Sequence, residues 1–121
     1  MTKCLLVNRN HEERRELSRL FQRFGFELSE QETADGALRH CRDNPPELVV
    51  MSSKDASESA PDIVRRLRLT GGDRPPVVLV YADKPDTGRI GRMMIDGAAE
   101  CLVKPINHEL LGLKLRQVGL I

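Results

Sequence analysis

Tryptophan is absent from this 121-residue chain, tyrosine occurs once and phenylalanine three times. So sparse an aromatic set provides no platform on which the bases of single-stranded nucleic acid would stack. Net charge is nearly absent as well. Nineteen Lys and Arg stand against eighteen Asp and Glu, a balance of +1 that gives no general attraction to nucleic acid or to an anionic membrane. No apolar run approaches the roughly 18 residues needed to span a bilayer, and the opening MTKCLLVNRN has too short an apolar stretch for a signal peptide. The three cysteines, Cys4, Cys41 and Cys101, are odd in number, far apart and without a C-x-x-C pair. That pattern argues against zinc or a dithiol and for reduced, mostly buried thiols. A cytoplasmic location, with no membrane and no nucleic-acid partner, is the expectation.

What is present is an ordinary globular composition, 40% hydrophobic and 31% charged, of a length that suits one domain over residues 1–121. Four short runs are almost wholly apolar: CLLV at 4–7, LVVM at 48–51, VVLV at 77–80 and CLV at 101–103. Strands covered on both faces look like this. FELSEQE at 26–32 alternates more weakly and reads as a second strand at a sheet edge.

Between the runs the period changes. Leu17, Leu20, Phe21 and Phe24 recur at i, i+3, i+4, i+7, giving an amphipathic helix over 11–24. Asn10 followed by Glu13 predicts a capping box at its start, and Gly25 a stop at its end. Weaker helical patterns cover about 34–43, 60–69, 86–96 and 107–118, and Asn107 is placed to cap the last. Parallel strands need crossovers of a dozen or so residues, and these helices supply them. The expected architecture is a doubly wound α/β sandwich of five parallel strands and five helices. Its functional crevice lies beyond the carboxyl ends of the strands, beside Asn8, Arg9, Ser52, Ser53, Tyr81, Ala82 and Lys104.

DGAAECLVKPI at 96–106 is similar to the "GAxxxLxKP" signature of response-regulator receiver domains in two-component signalling, and PPELVVMS resembles their "PDLxxxD" third strand. RPPVVLVYA and CLLVNRN resemble the fourth and first strands, so the likeness extends over the whole chain. It implies a flavodoxin-like receiver fold of the chemotaxis-regulator kind, strand order 2-1-3-4-5. It also implies a site: two acids after the first strand and an aspartate ending the third hold magnesium, the aspartate takes a phosphoryl group, and a Thr or Ser and a Lys bind the phosphate.

Carried over position by position, the acids become Asn8 and Arg9 and the phosphoacceptor becomes Ser52. The Thr/Ser switch becomes Tyr81, or Ala82 if the longer 82–87 loop shifts the alignment, and the aromatic partner becomes Cys101. Lys104 and Pro105 are retained. A hydroxyl forms no acyl phosphate, and a guanidinium repels a divalent cation. The expectation is therefore an atypical receiver, neither phosphorylated nor an enzyme, with no metal and no cofactor. With a large residue at 81 and a small one at 101, the Tyr81 ring is expected to fill the space the family's aromatic would enter.

Lys104 and Arg9 are expected to be neutralised by Asp55, Asp83 or Glu12; the alternative is an anion or nucleotide site on Arg9 and Lys104, or on the surface arginines. Arg14, Arg15, Arg65, Arg66, Arg68, Arg89 and Arg92, with His11, His40 and His108, read as solvated. The resemblance implies a partner that is itself a signalling protein, such as a histidine kinase, response regulator or output protein. It also implies a face for docking or homodimerisation on the fourth helix, fifth strand and fifth helix, with Arg89, Arg92, Met93, Leu110 and Lys114 on it.

Overall fold

A strand that is apolar at both odd and even positions needs cover on both sides, and the chain provides it. The computed structural model describes residues 2–54, 62–84 and 87–121. Among them, strands and helices alternate as β1 (Lys3–Val7), α1 (His11–Gln22), β2 (Glu27–Gln31), α2 (Ala34–Asp43), β3 (Leu48–Ser52), α3 (Ile63–Leu69), β4 (Val77–Ala82), α4 (Thr87–Ile95), β5 (Glu100–Val103) and α5 (His108–Gln117). The strands form one parallel sheet in the order β2-β1-β3-β4-β5, the expected topology, with β2 at an edge.

Alternation along the central strands sorts their side chains into two cores. Leu5, Val7, Val49, Met51, Val78 and Val80 pack with Leu38 of α2, Leu67 of α3 and Met93 of α4. Cys4, Leu6, Leu48, Val50, Leu79 and Tyr81 pack on the opposite face with Leu17 and Phe21 of α1 and Leu111 and Leu115 of α5. Each face is sealed by helices whose apolar residues recur at helical spacing. No helix among the described residues is long and apolar enough to cross a membrane.

Local signals fix the ends. Asn10 Oδ1, Thr33 Oγ1 and Asn107 Oδ1 accept the backbone N–H groups of Glu13, Gly36 and Leu110, starting α1, α2 and α5. Such a cap contributes about 1 kcal/mol. Gly25, at φ +81°, closes the turn after α1, a conformation open to glycine. The helices of the sequence reading run one or two residues too long at several ends; the turns there close through residues outside the regular ladder, such as Gly97 N–H on Met94 O.

Candidate functional site

Because β1, β3 and β4 are parallel, their carboxyl ends open on the same edge of the sheet, and a crevice of about 480 Å³ lies there. Asn8, Arg9, Asn10, Glu13, Ser52, Ser53, Lys54, Tyr81 and Asp83 line it. Strand pairing sets Ser52 directly beside Tyr81. The fold thus brings Asn8, Arg9, Ser52 and Tyr81, each expected at the crevice, together, and Lys104, following β5, joins them through Asp83.

The centre of the crevice is an ion-pair network. Lys104 Nζ lies 2.8 Å from Glu13 Oε2 and 2.6 Å from Asp83 Oδ1. It also sits 5.2 Å from the centroid of the Tyr81 ring, within cation–π range. Partial burial works against the ammonium, but hydrogen bonds to Asp83 and Glu13 more than compensate, and its pKa is raised. Neutralisation of Lys104 by Asp83 agrees with the sequence reading. The second carboxylate does not: it is Glu13, not Glu12, and Asp55 lies outside the described residues. Helix geometry is the reason, since Glu13 stands in the first turn at the N3 position, where a side chain leans back toward the cap and the strand end.

The capping box is only half realised. Asn10 Oδ1 accepts the Glu13 N–H at 3.1 Å, but the return bond to the Asn10 N–H comes from Asn8 Oδ1 at 2.8 Å. Asn8 Nδ2 in turn donates to Glu13 Oε1 at 3.1 Å. Asn8, 2% exposed, therefore completes the cap and frees the Glu13 carboxylate to reach Lys104.

Arg14 corrects the expectation of a solvated helix face. It is buried, with Nη1 donating to Asn8 O and Nε to Glu30 Oε1, each at 2.7 Å. Nη2 lies 3.1 Å from His11 Nδ1 and 3.7 Å from Glu32 Oε1. A planar fork with several donors suits this three-way junction of β1, α1 and β2. His108 is likewise not simply solvated: its ring stacks on Phe24, centroids 4.4 Å apart and 8° from parallel.

Tyr81 also departs from expectation. It pairs with Leu102, and both belong to the core under α1 and α5. Cys101 pairs with Val80 of the other core, so alternation turns residues 81 and 101 to opposite faces. The Tyr81 ring therefore does not fill a space vacated at Cys101. Instead it walls off the crevice from a second groove of about 450 Å³ that includes Leu17, Leu20, Pro105 and Ile106. The Lys104–Pro105 peptide is cis.

On the expected docking face, Arg89 and Arg92 are exposed and Leu110 is partly so. Met93 is not available: it sits one turn from Ile90 on the inward side of α4 and is 4% exposed. Lys114 is half-buried and held by Glu100 at 3.2 Å.

The donor set does not fit a divalent cation. Both described carboxylates of the crevice, Glu13 and Asp83, grip an ammonium, the Asn8 amide oxygen accepts a backbone N–H, and Arg9 brings a further positive charge to the lining. Among the described residues no three His, Cys, Asp or Glu converge on a common point suited to a metal.

No protein-family model matches the sequence, and no curated protein matches it. Solved structures do. The chemotaxis protein CheY4 of Vibrio cholerae superposes with a TM-score of 0.85 at 21% identity over 98% of both chains. The receiver domain of a sensor histidine kinase from Pseudomonas aeruginosa, with magnesium coordinated in its active-site cleft, gives 0.81 at 17% identity over 98% of both. A response-regulator receiver domain from Bermanella marisrubri gives 0.81 at 17% identity, over 96% of this chain and 97% of its own. At these identities the likeness is one of fold, and the fold is that of receiver domains.

Proposed function

We propose that this chain, which has the receiver-domain fold, is a single atypical receiver that signals from the cytoplasm by docking to another signalling protein, without being phosphorylated and without enzymatic activity. In this reading Ser52 takes the phosphoacceptor position, Asn8 and Arg9 take the metal-binding positions, and the switch position falls to Tyr81, beside Ser52 in the sheet, or to Ala82, which alternation turns to the same face as Cys101. The observation that carries the reading is the Glu13–Lys104–Asp83 bridge. The lysine that a receiver uses to hold an incoming phosphoryl group is here committed to two internal carboxylates. Among the described residues β3 ends on the Ser52 hydroxyl, which forms no acyl phosphate, and the two crevice carboxylates, Glu13 and Asp83, are both paired with Lys104.

An anion or nucleotide site on Arg9 and Lys104 is disfavoured by the same bridge, because an incoming anion would compete with Glu13 and Asp83 for one ammonium. For homodimerisation, the exposed Met94 on α4 and Leu110 and Leu113 on α5 offer apolar surface in the region the family uses.

The test is incubation with acetyl phosphate and magnesium, followed by intact-mass measurement, and beryllofluoride titration followed by amide chemical shifts. The expected result is an unchanged mass and no shift at Ser52, Tyr81 or Lys104. A labile phosphoryl adduct, or magnesium-dependent shifts at those residues, would overturn the reading.

A further inference from the structure

Helices α3 and α4 lie side by side on the same face of the sheet and share one bias of charge. Between them they carry Arg65, Arg66, Arg68, Arg89 and Arg92 and no acidic residue. Asp62 and Asp96 flank them, leaving a local excess of +3 (five minus two) in a chain whose total is +1. Asp62 pairs with Arg65 and Arg66 at 3.8 and 4.0 Å, exposed contacts of one carboxylate with two guanidinium groups that leave the pair of helices net positive.

The two helices also end alike. Leu67 and Met93 point into the core, and the residue two positions on, some 200° round the helix, points out. Those residues are Leu69, 75% exposed, and Ile95, 85% exposed, the most exposed large apolar side chains among the described residues. The ends are tied together: Arg68 Nη1 donates to Gly97 O at 3.5 Å, and a Cβ added to Gly97 would fall 2.9 Å from Arg68 Cδ. Gly97 has φ +115°, a conformation that favours glycine, and the Arg68 side chain packs against its Cα. Leu69 and Ile95 thus lie at the joined ends of the two helices, each one turn after an arginine of its own helix, Arg66 and Arg92, with Arg68 spanning the join.

We infer that this patch, at the carboxyl ends of α3 and α4, is a docking site for an acidic amphipathic helix of a partner protein. An apolar centre inside an arginine rim is the anatomy of protein–protein contacts, where arginine is enriched and lysine depleted. The guanidinium fork pairs with carboxylates in a fixed geometry, which suits Glu or Asp flanking an apolar side chain. A bilayer is less well matched, because neither helix carries an aromatic residue to seat at the lipid interface and each is short, seven and nine residues. The patch deepens the docking reading above by naming the chemistry of the partner, and it lies on the face of the sheet opposite α5.

The experiment uses the whole chain and a labelled helical peptide built on the repeat Leu-Glu-Glu-Leu-Leu-Glu-Glu, with controls in which Ala replaces Leu or Lys replaces Glu. Binding is read by fluorescence anisotropy and amide chemical shifts. The Leu/Glu peptide is expected to bind and to shift residues 66–69 and 92–97, and neither control to do so. Ile95→Glu, or Arg66→Glu with Arg92→Glu, is expected to weaken binding about tenfold or more, and Leu113→Glu on α5 to leave it unchanged. Absence of binding to millimolar concentration, equal binding by the variants, or preference for phosphatidylserine vesicles lost in the same variants would overturn the proposal. A chain that took a phosphoryl group yet bound the peptide would sink the crevice reading and spare the patch. An inert crevice with no peptide binding would do the reverse.

Discussion

Removing the Glu13 carboxylate would leave Lys104 with Asp83 alone and Asn8 Nδ2 without its acceptor. Glu13→Ala is therefore expected to lower stability by about 1–2 kcal/mol, measured by urea unfolding. Lys104 gives a test in pH. Its folded pKa is raised, so its stabilisation is fully present below the ordinary lysine pKa and is lost as pH rises through the folded value. The stability gap between the wild type and Lys104→Met should hold steady up to about pH 10 and narrow above it. A gap that narrows near neutrality would contradict the bridge. Arg14 is the costlier loss, since Arg14→Met strands a buried carbonyl at Asn8 while Glu30, half exposed, turns to water; about 2 kcal/mol is expected. Arg14→Lys should recover only part of this, because one ammonium cannot serve Asn8 O, Glu30 and His11 together.

The elements differ in how well they protect what they carry. Cys4 lies in β1, flanked by strands on both sides, and burial raises its pKa strongly. Burial pushes the Cys41 thiol of α2 up to about 11, with a hydrogen bond from Thr70 opposing. Cys101, on the edge strand β5, is only half-buried; burial raises its pKa too, helped by Glu100 and opposed by Lys114. Native-state labelling with iodoacetamide at pH 8 should therefore modify Cys101 first and spare Cys4 and Cys41 until the chain unfolds. Rapid labelling of Cys4 would place β1 nearer solvent than the sheet allows. The existence and type of every element were legible in the sequence, because apolar runs and helical periods report burial directly. Arg14 was not legible. An arginine on the polar flank of an amphipathic helix looks solvated until a neighbouring strand, here β2 with Glu30, closes over it.

Across the whole molecule the sheet order sets a hierarchy of stability. β1, β3 and β4 are paired on both sides and covered on both faces, whereas β2 and β5 each have one partner. Hydrogen exchange should be slowest at Leu5, Val49, Val50 and Leu79 and faster by orders of magnitude at Leu28 and Cys101. Uniform protection across all five strands would refute that hierarchy. Charge is distributed at the same scale: the near-neutral total conceals an arginine-only face on α3 and α4. Composition averages over the surface, and only the placement of two helices side by side reveals the bias.

By itself the sequence determined the strand and helix pattern, the edge position of β2, the N-caps at Asn10 and Asn107, and the amide, guanidinium and hydroxyl side chains of Asn8, Arg9 and Ser52 at the strand ends. These follow from local periodicity and residue type, which need no knowledge of what lies across the fold. The tertiary structure decided which carboxylate meets Lys104, which core receives Tyr81 and how deep Met93 sits. Each of these depends on a contact between residues far apart in the chain, and on a strand register in which one position more or less turns a side chain to the opposite face.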